Sequence, residues 1–229
     1  MIETETALQG GVPLRSRRGV FLLALPTLLF ATSWGAFTGG TLLLGKDLGY
    51  LLGFAFYWLF WCTVVPLILL GRAGFAATLA TRVRLLSRAN VPAALLLLVV
   101  IGVAAAMYGA AFVRTPWPVM AVAAPLAIVN GFCEEVLWRG VYVVSFPRRP
   151  WLAVGFPALG FALWHFVPQS VFPAASGPVP FVASTLCLGL VYGVIAYRMR
   201  SAKWTAISHA LNGILASGGR LAPVVLGLL

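Results

Sequence analysis

Polar positions in this chain are confined to short stretches that punctuate long apolar runs, and the run lengths are those of helices that cross a bilayer. Residues 19–44, 49–70, 92–113, 117–146, 151–172 and 181–198 each reach or approach the ~20 residues that a span requires. A seventh run, 204–217, is short by itself and either continues into 221–229 or ends early. In hydrocarbon every backbone N–H and C=O must be satisfied within the segment, so runs of this kind fold as helices. The pattern predicts an all-α fold, a polytopic transmembrane helical bundle of about seven spans (six to eight). It further predicts that residues 1–229 form a single integral membrane domain, with no soluble domain expected on either side.

Composition strengthens the reading. Apolar residues make up 61% of the chain and charged residues 9%, against roughly 25% charged in an average globular protein. The net charge of +11 is distributed by topology. Arg15, Arg17 and Arg18 precede the first run, and Arg72, Arg82, Arg84 and Arg88 follow the second. Arg148 and Arg149 follow the fourth, and Arg198, Arg200 and Lys203 the sixth. The intervening loops hold only Lys46, Arg114 and Arg220. This alternation obeys the positive-inside rule and places the N-terminus in the cytoplasm. Attraction to anionic lipid accounts for the basic excess, so membrane lipid is an expected partner and nucleic acid is not. The first run exceeds the apolar core of a secretory signal, which makes it an uncleaved span.

Within 72–90, Phe75, Leu79, Val83 and Leu86 recur at helical spacing among the arginines. Two readings stand side by side: a helix lying in the cytoplasmic interface or a plain basic linker. The small-residue patterns Gly35-x-x-x-Gly39 and Gly189-x-x-x-Gly193 predict close helix packing.

Against this apolar background the ionisable residues stand out. The chain holds five carboxylates, and two of them, Glu134 and Glu135, are adjacent in the middle of an apolar run. An ionisable group there costs roughly 2.5–3.5 kcal/mol on insertion scales, which marks it as functional by default. Arg139 follows Glu135 at i+4, the favourable order for an ion pair. Glu134, turned about 100° from Glu135, is left without a partner and free to act as a base on water.

The two histidines also fall in apolar runs. His165 ends Phe161-Ala-Leu-Trp-His165, and Phe161, one turn earlier, shares its face. His209 is followed by Asn212 at i+3, again on one face. Taken singly, a histidine in a helix is more often structural than catalytic. Both histidines and the paired carboxylates lie in three different runs, each costly to bury, and the economical account is one polar pocket inside the bundle. Cys62, Cys133 and Cys187 have no close pair and read as small hydrophobes.

The ordered set Glu134-Glu135-x-x-x-Arg139, Phe161-x-x-x-His165 and His209 with Asn212 resembles the motifs of the CAAX prenyl protease and bacteriocin-processing (Abi) family. Gly140 and the approach Leu188-Gly-Leu-Val-Tyr192-Gly193 resemble it too. The likeness covers residues 117–217, which would contain the catalytic core. It implies a metal-independent intramembrane endopeptidase. Glu134 would activate water with help from His165, His209 would stabilise the oxyanion, and Glu135 with Arg139 would form a structural pair. The family's third motif usually carries asparagine four residues after the histidine. Here that position is Gly213, and Asn212 stands one residue earlier.

Counted at 1.5 Å per residue from the cytoplasmic loops, Glu134 lies about 18 Å deep, His165 about 21 Å and His209 about 9 Å. One site therefore needs tilts or kinks, for which Pro125 and Pro157 are candidates. The zinc signature His-Glu-x-x-His is absent. A Glu/His metal site remains open from ligand types alone and ranks below the metal-free reading, so no cofactor is expected. Two other classes stay open: a proton- or ion-coupled transporter, and a non-catalytic membrane adaptor whose polar cluster fixes packing. The hydrolase reading calls for a membrane-associated protein or peptide substrate. Arginine in excess of lysine, with abundant alanine and glycine, points to a bacterial cytoplasmic (inner) membrane.

Overall fold

A computed structural model describes residues 11–81 and 83–227. Arg82, counted above in the second basic cluster, lies outside the described residues. Among these, every regular element is a helix. Six helices are long and apolar enough to cross a membrane: α1 (Arg17–Leu44), α2 (Lys46–Leu79), α3 (Arg88–Arg114), α4 (Trp117–Ser145), α5 (Trp151–Val171) and α6 (Pro178–Met199). They coincide with the six long apolar runs. The seventh run forms a shorter helix, α7 (Lys203–Leu215), and α8 (Leu221–Gly227) follows it. The two do not merge, because Ser217, Gly218 and Gly219 all adopt left-handed backbone conformations that an α-helix cannot contain.

The bundle is apolar on its outside. Leu95, Leu98, Val99, Val103, Met107 and Val113 of α3 are exposed, as suits a surface solvated by lipid. Glu134, Glu135 and Arg139 are almost completely buried. This inversion of the soluble pattern is what the bilayer imposes. The central core joins α1, α2, α4 and α5 through Leu22, Leu25, Leu29, Tyr57, Trp138 and Trp164.

Two spans contain π-helical stretches that pack against each other, Tyr57–Val64 in α2 and Val136–Val141 in α4. Such stretches occur often at functional sites. Beyond the first of them, α2 turns sharply at Gly71, whose φ of 66° is open to glycine and strained for other residues. The amphipathic segment is therefore divided. It is helical to Leu79 and irregular beyond, so Val83 and Leu86 do not continue the face set by Phe75 and Leu79.

The small-residue patterns also divide. A Cβ on Gly189 or Gly193 would press on Ala158 or Val154 of α5, whereas one on Gly35 or Gly39 would meet nothing within 4 Å among the described residues. The Gly35 and Gly39 positions thus mark no helix contact. A different ladder does. Ala123, Ala127 and Gly131 line one side of α4, and Cβ atoms on Gly218, Gly213 and Gly131 would come within 3 Å of Ala123, Ala127 and Ala210 respectively. Small residues let the α4 and α7 backbones approach closely, the arrangement that drives helix association in lipid.

Candidate active site

The ladder brings α7 against α4 one turn before the acid pair. A Cβ on Gly131 would lie 2.7 Å from Ala210 N and 3.2 Å from His209 C. Bare backbone at Gly131 thus seats His209 beside Glu134. Its Nε2 stands 3.4 Å from Glu134 Oε2, and its Nδ1 stands 3.1 Å from Glu135 Oε1. Arg139 Nη1 is 2.9 Å from the same Glu135 oxygen, so the i,i+4 pair forms as its spacing requires.

The depths counted from the loops hold only for helix ends that lie in one plane, and α7 departs from that. Its entry is sunk into the protein: Met199, Ser201 and Ala202 are buried. Ala202 N–H donates to the Thr78 carbonyl at the end of α2. Six residues of helix from this lowered start are enough to carry His209 to the level of Glu134.

Glu134 is not without a partner, contrary to the expectation from its helical angle. Asn130, one turn earlier on the same face, donates from Nδ2 to Glu134 Oε2 at 3.2 Å. Asn130 Oδ1 in turn accepts from Trp58 Nε1 at 2.9 Å. One oxygen of Glu134 is therefore hydrogen-bonded by Asn130 and faces His209 Nε2 at 3.4 Å. The other, Oε1, is buried with no hydrogen-bond partner among the described residues.

Proton bookkeeping follows from the contacts. A neutral imidazole carries one N–H, yet both nitrogens of His209 face carboxylate oxygens. Only the imidazolium carries both N–H groups, so it alone can donate toward both acids at once.

Phe161 is the hub of the remaining residues. Arg139 Cζ lies 4.2 Å from its ring centroid, a cation–π contact that holds the guanidinium face. Its ring meets His165 edge-on at 4.5 Å and His209 at 6.3 Å. His165 sits where α5 tightens, its N–H bonded to Ala162 O rather than Phe161 O. Pro168, three residues on, has no N–H with which to continue the regular pattern. His165 Nδ1 lies 2.8 Å from the Phe161 carbonyl. A carbonyl only accepts, so Nδ1 carries the hydrogen and Nε2 is left as an acceptor. Among the described residues no hydrogen bond joins His165 to either glutamate.

Asn212 is one step removed. Its Nδ2 donates to the Tyr192 hydroxyl at 2.9 Å, and that hydroxyl shares a hydrogen bond of 2.9 Å with Ser208. Tyr192 packs on His209, with ring centroids 5.8 Å apart. Position 213 faces Ala127, which is why a glycine, not an asparagine, stands there.

The structure thus unites Glu134, Glu135, Arg139, Phe161 and His209 directly, and adds His165 and Asn212 through Phe161 and Tyr192. It also brings in residues that motif reading passed over. Asn130 had a signal, a polar side chain at i−4 from Glu134 inside an apolar run, and Ser208 adjoins His209. Trp58 had none, being one of eight tryptophans and 72 residues from Asn130.

Residues 116–215 match the family model described as Rce1-like, type II CAAX prenyl endopeptidase Rce1-like. No curated protein and no solved structure gives a significant match.

Proposed function

Over residues 116–215 the chain belongs to the Rce1-like CAAX endopeptidases, a family of peptide hydrolases, and we propose that it cleaves its membrane-associated protein substrate with water activated by Glu134, without a metal ion. The observation that carries this reading is the asymmetry of the Glu134 carboxylate. Oε2 is hydrogen-bonded by Asn130 and faces His209, and Oε1 is buried and unpartnered among the described residues. A carboxylate oriented by one oxygen presents the other as the base.

In the proposed reaction, Oε1 takes a proton from water as the oxygen of that water attacks the scissile carbonyl. His165 orients the water through its acceptor nitrogen Nε2. Once Glu134 is protonated its pull on His209 weakens, and the Nε2–H of His209 becomes free to donate to the developing oxyanion, which is where a preorganised donor has most effect. Proton return from Glu134 to the leaving amine closes the cycle. Glu135, Arg139 and Phe161 keep His209 in place, and Asn212 acts at one remove by holding Tyr192 against that ring. A metal-free course is supported by the guanidinium 2.9 Å from Glu135, since a divalent cation on these acids would sit against a fixed positive charge. The substrate is a protein or peptide at the membrane, with a prenylated C-terminal tail as the leading class, and the host membrane is the bacterial cytoplasmic membrane.

The test compares peptide termini in membrane fractions from cells carrying the wild type and Glu134→Ala. A set of termini that depends on the wild type is the expected result. Identical termini in the two strains would remove the reading.

A further inference from the structure

We infer that Trp58 is a positioning residue for Glu134, acting through Asn130, although it lies on α2 and outside the segment that carries the family motifs. The inference rests on the reading of Glu134 as the base.

Donors and acceptors alone set the orientation of the Asn130 amide. An indole nitrogen only donates, so the Asn130 atom 2.9 Å from Trp58 Nε1 has to be the carbonyl oxygen. The amide then has no choice but to turn its NH2 toward Glu134 Oε2. The indole N–H and the carboxylate select the same orientation of the amide from its two ends, and only that orientation satisfies both. The flipped one would set a carbonyl oxygen against a buried carboxylate, two acceptors with no hydrogen between them. Trp58 therefore anchors the amide that holds Oε2 of Glu134 and so keeps Oε1 presented.

Its own position is well determined. Tyr57, the preceding residue, accepts a hydrogen bond from Trp138 Nε1 at 2.8 Å and stacks on Trp164 at 3.9 Å between centroids. The Thr63 hydroxyl donates to the Trp58 carbonyl at 2.9 Å, closing the π-helical turn. The π-helical stretch of α2 is thus pinned to α4 and α5 immediately beside Trp58. The register of the second span is transmitted to the acid in the fourth by two hydrogen bonds.

The experiment uses the full chain in detergent micelles and a synthetic peptide spanning the cleavage site most dependent on Glu134 in the terminus comparison. Trp58→Phe, Asn130→Leu, the double variant and Glu134→Gln are assayed, with thermal unfolding recorded for each. Trp58 is also replaced by benzothienylalanine, which keeps the indole's size and removes only its N–H. The expected result is a fall of about tenfold in kcat for Trp58→Phe and for the benzothienyl variant, with KM within about twofold, as for loss of an orienting hydrogen bond to a charged partner. The double variant should be no slower than Asn130→Leu alone, because Trp58 works only through Asn130. The inference is overturned if the benzothienyl variant keeps wild-type kcat while Glu134→Gln is inactive, or if the losses in the double variant multiply. Cleavage by Glu134→Gln at the wild-type rate would instead remove the reading of Glu134 as base.

Discussion

Gly213 stands so close to Ala127 that a Cβ placed on it would lie 2.9 Å from the Ala127 Cβ. The position at which the resemblance led to the expectation of asparagine is, in this chain, part of a helix contact. Asparagine there would force α7 away from α4, and α7 is the helix that carries His209.

This contact yields the first prediction. Gly213→Ala and Gly131→Ala should each destabilise the protein by about 1–3 kcal/mol through overpacking. Thermal unfolding in detergent measures it. Gly131→Ala should also lose more activity, because its new methyl would strike the Ala210 backbone next to His209. Unchanged melting in both variants would contradict the close packing of α4 and α7.

Arg139→Met should be among the most damaging single changes, costing about 3–5 kcal/mol, because it strands Glu135 as an uncompensated buried charge. Combining it with Glu135→Met should restore much of the stability without restoring cleavage, since Nδ1 of His209 would have lost its carboxylate. Melting and cleavage recorded on the same samples separate these two effects.

Tyr192→Phe removes one hydroxyl and nothing else. The Asn212 amide and the Ser208 hydroxyl both lose a partner, at a cost of about 1–3 kcal/mol for a buried polar group left unsatisfied. Cleavage should fall about tenfold through a less well-seated His209. A variant with full activity and unchanged melting would show that the Tyr192 bridge contributes nothing to the site.

Metal chelators give a direct test of the proposed chemistry. Prolonged treatment with EDTA or 1,10-phenanthroline should leave cleavage within about twofold of the untreated rate, as expected when a carboxylate, not a metal-bound hydroxide, activates water. Loss of activity that added zinc restores would replace the Glu134 mechanism with a metal-dependent one.

The membrane fold was legible because the bilayer imposes a one-dimensional rule. A segment long and apolar enough to cross is a helix whatever its neighbours, and all six long runs became helices. The Glu135–Arg139 pair was legible for a related reason, since i,i+4 geometry is internal to one helix. The Asn130–Glu134 bond obeys the same rule and was there to be read. The partners of His209 were not. Its depth depended on where α7 begins, and that was set by a hydrogen bond from Ala202 to Thr78 between segments 124 residues apart in sequence. One of the two small-residue patterns failed in the same way: Gly35 and Gly39 have the spacing of a contact, but among the described residues nothing lies within 4 Å of a Cβ placed on them.

By itself, then, the sequence determined the number and extent of the long spans, the burial of the acid pair and its arginine, and the residue types available for hydrolysis. Tertiary structure decided which of these groups touch. It turned both nitrogens of His209 toward carboxylates, left one oxygen of Glu134 unpartnered, and recruited Trp58 from a distant span. The division is physical: helix formation and intrahelical pairs are fixed by local spacing, whereas contacts between helices depend on close approach at glycine and alanine surfaces, which no single segment specifies.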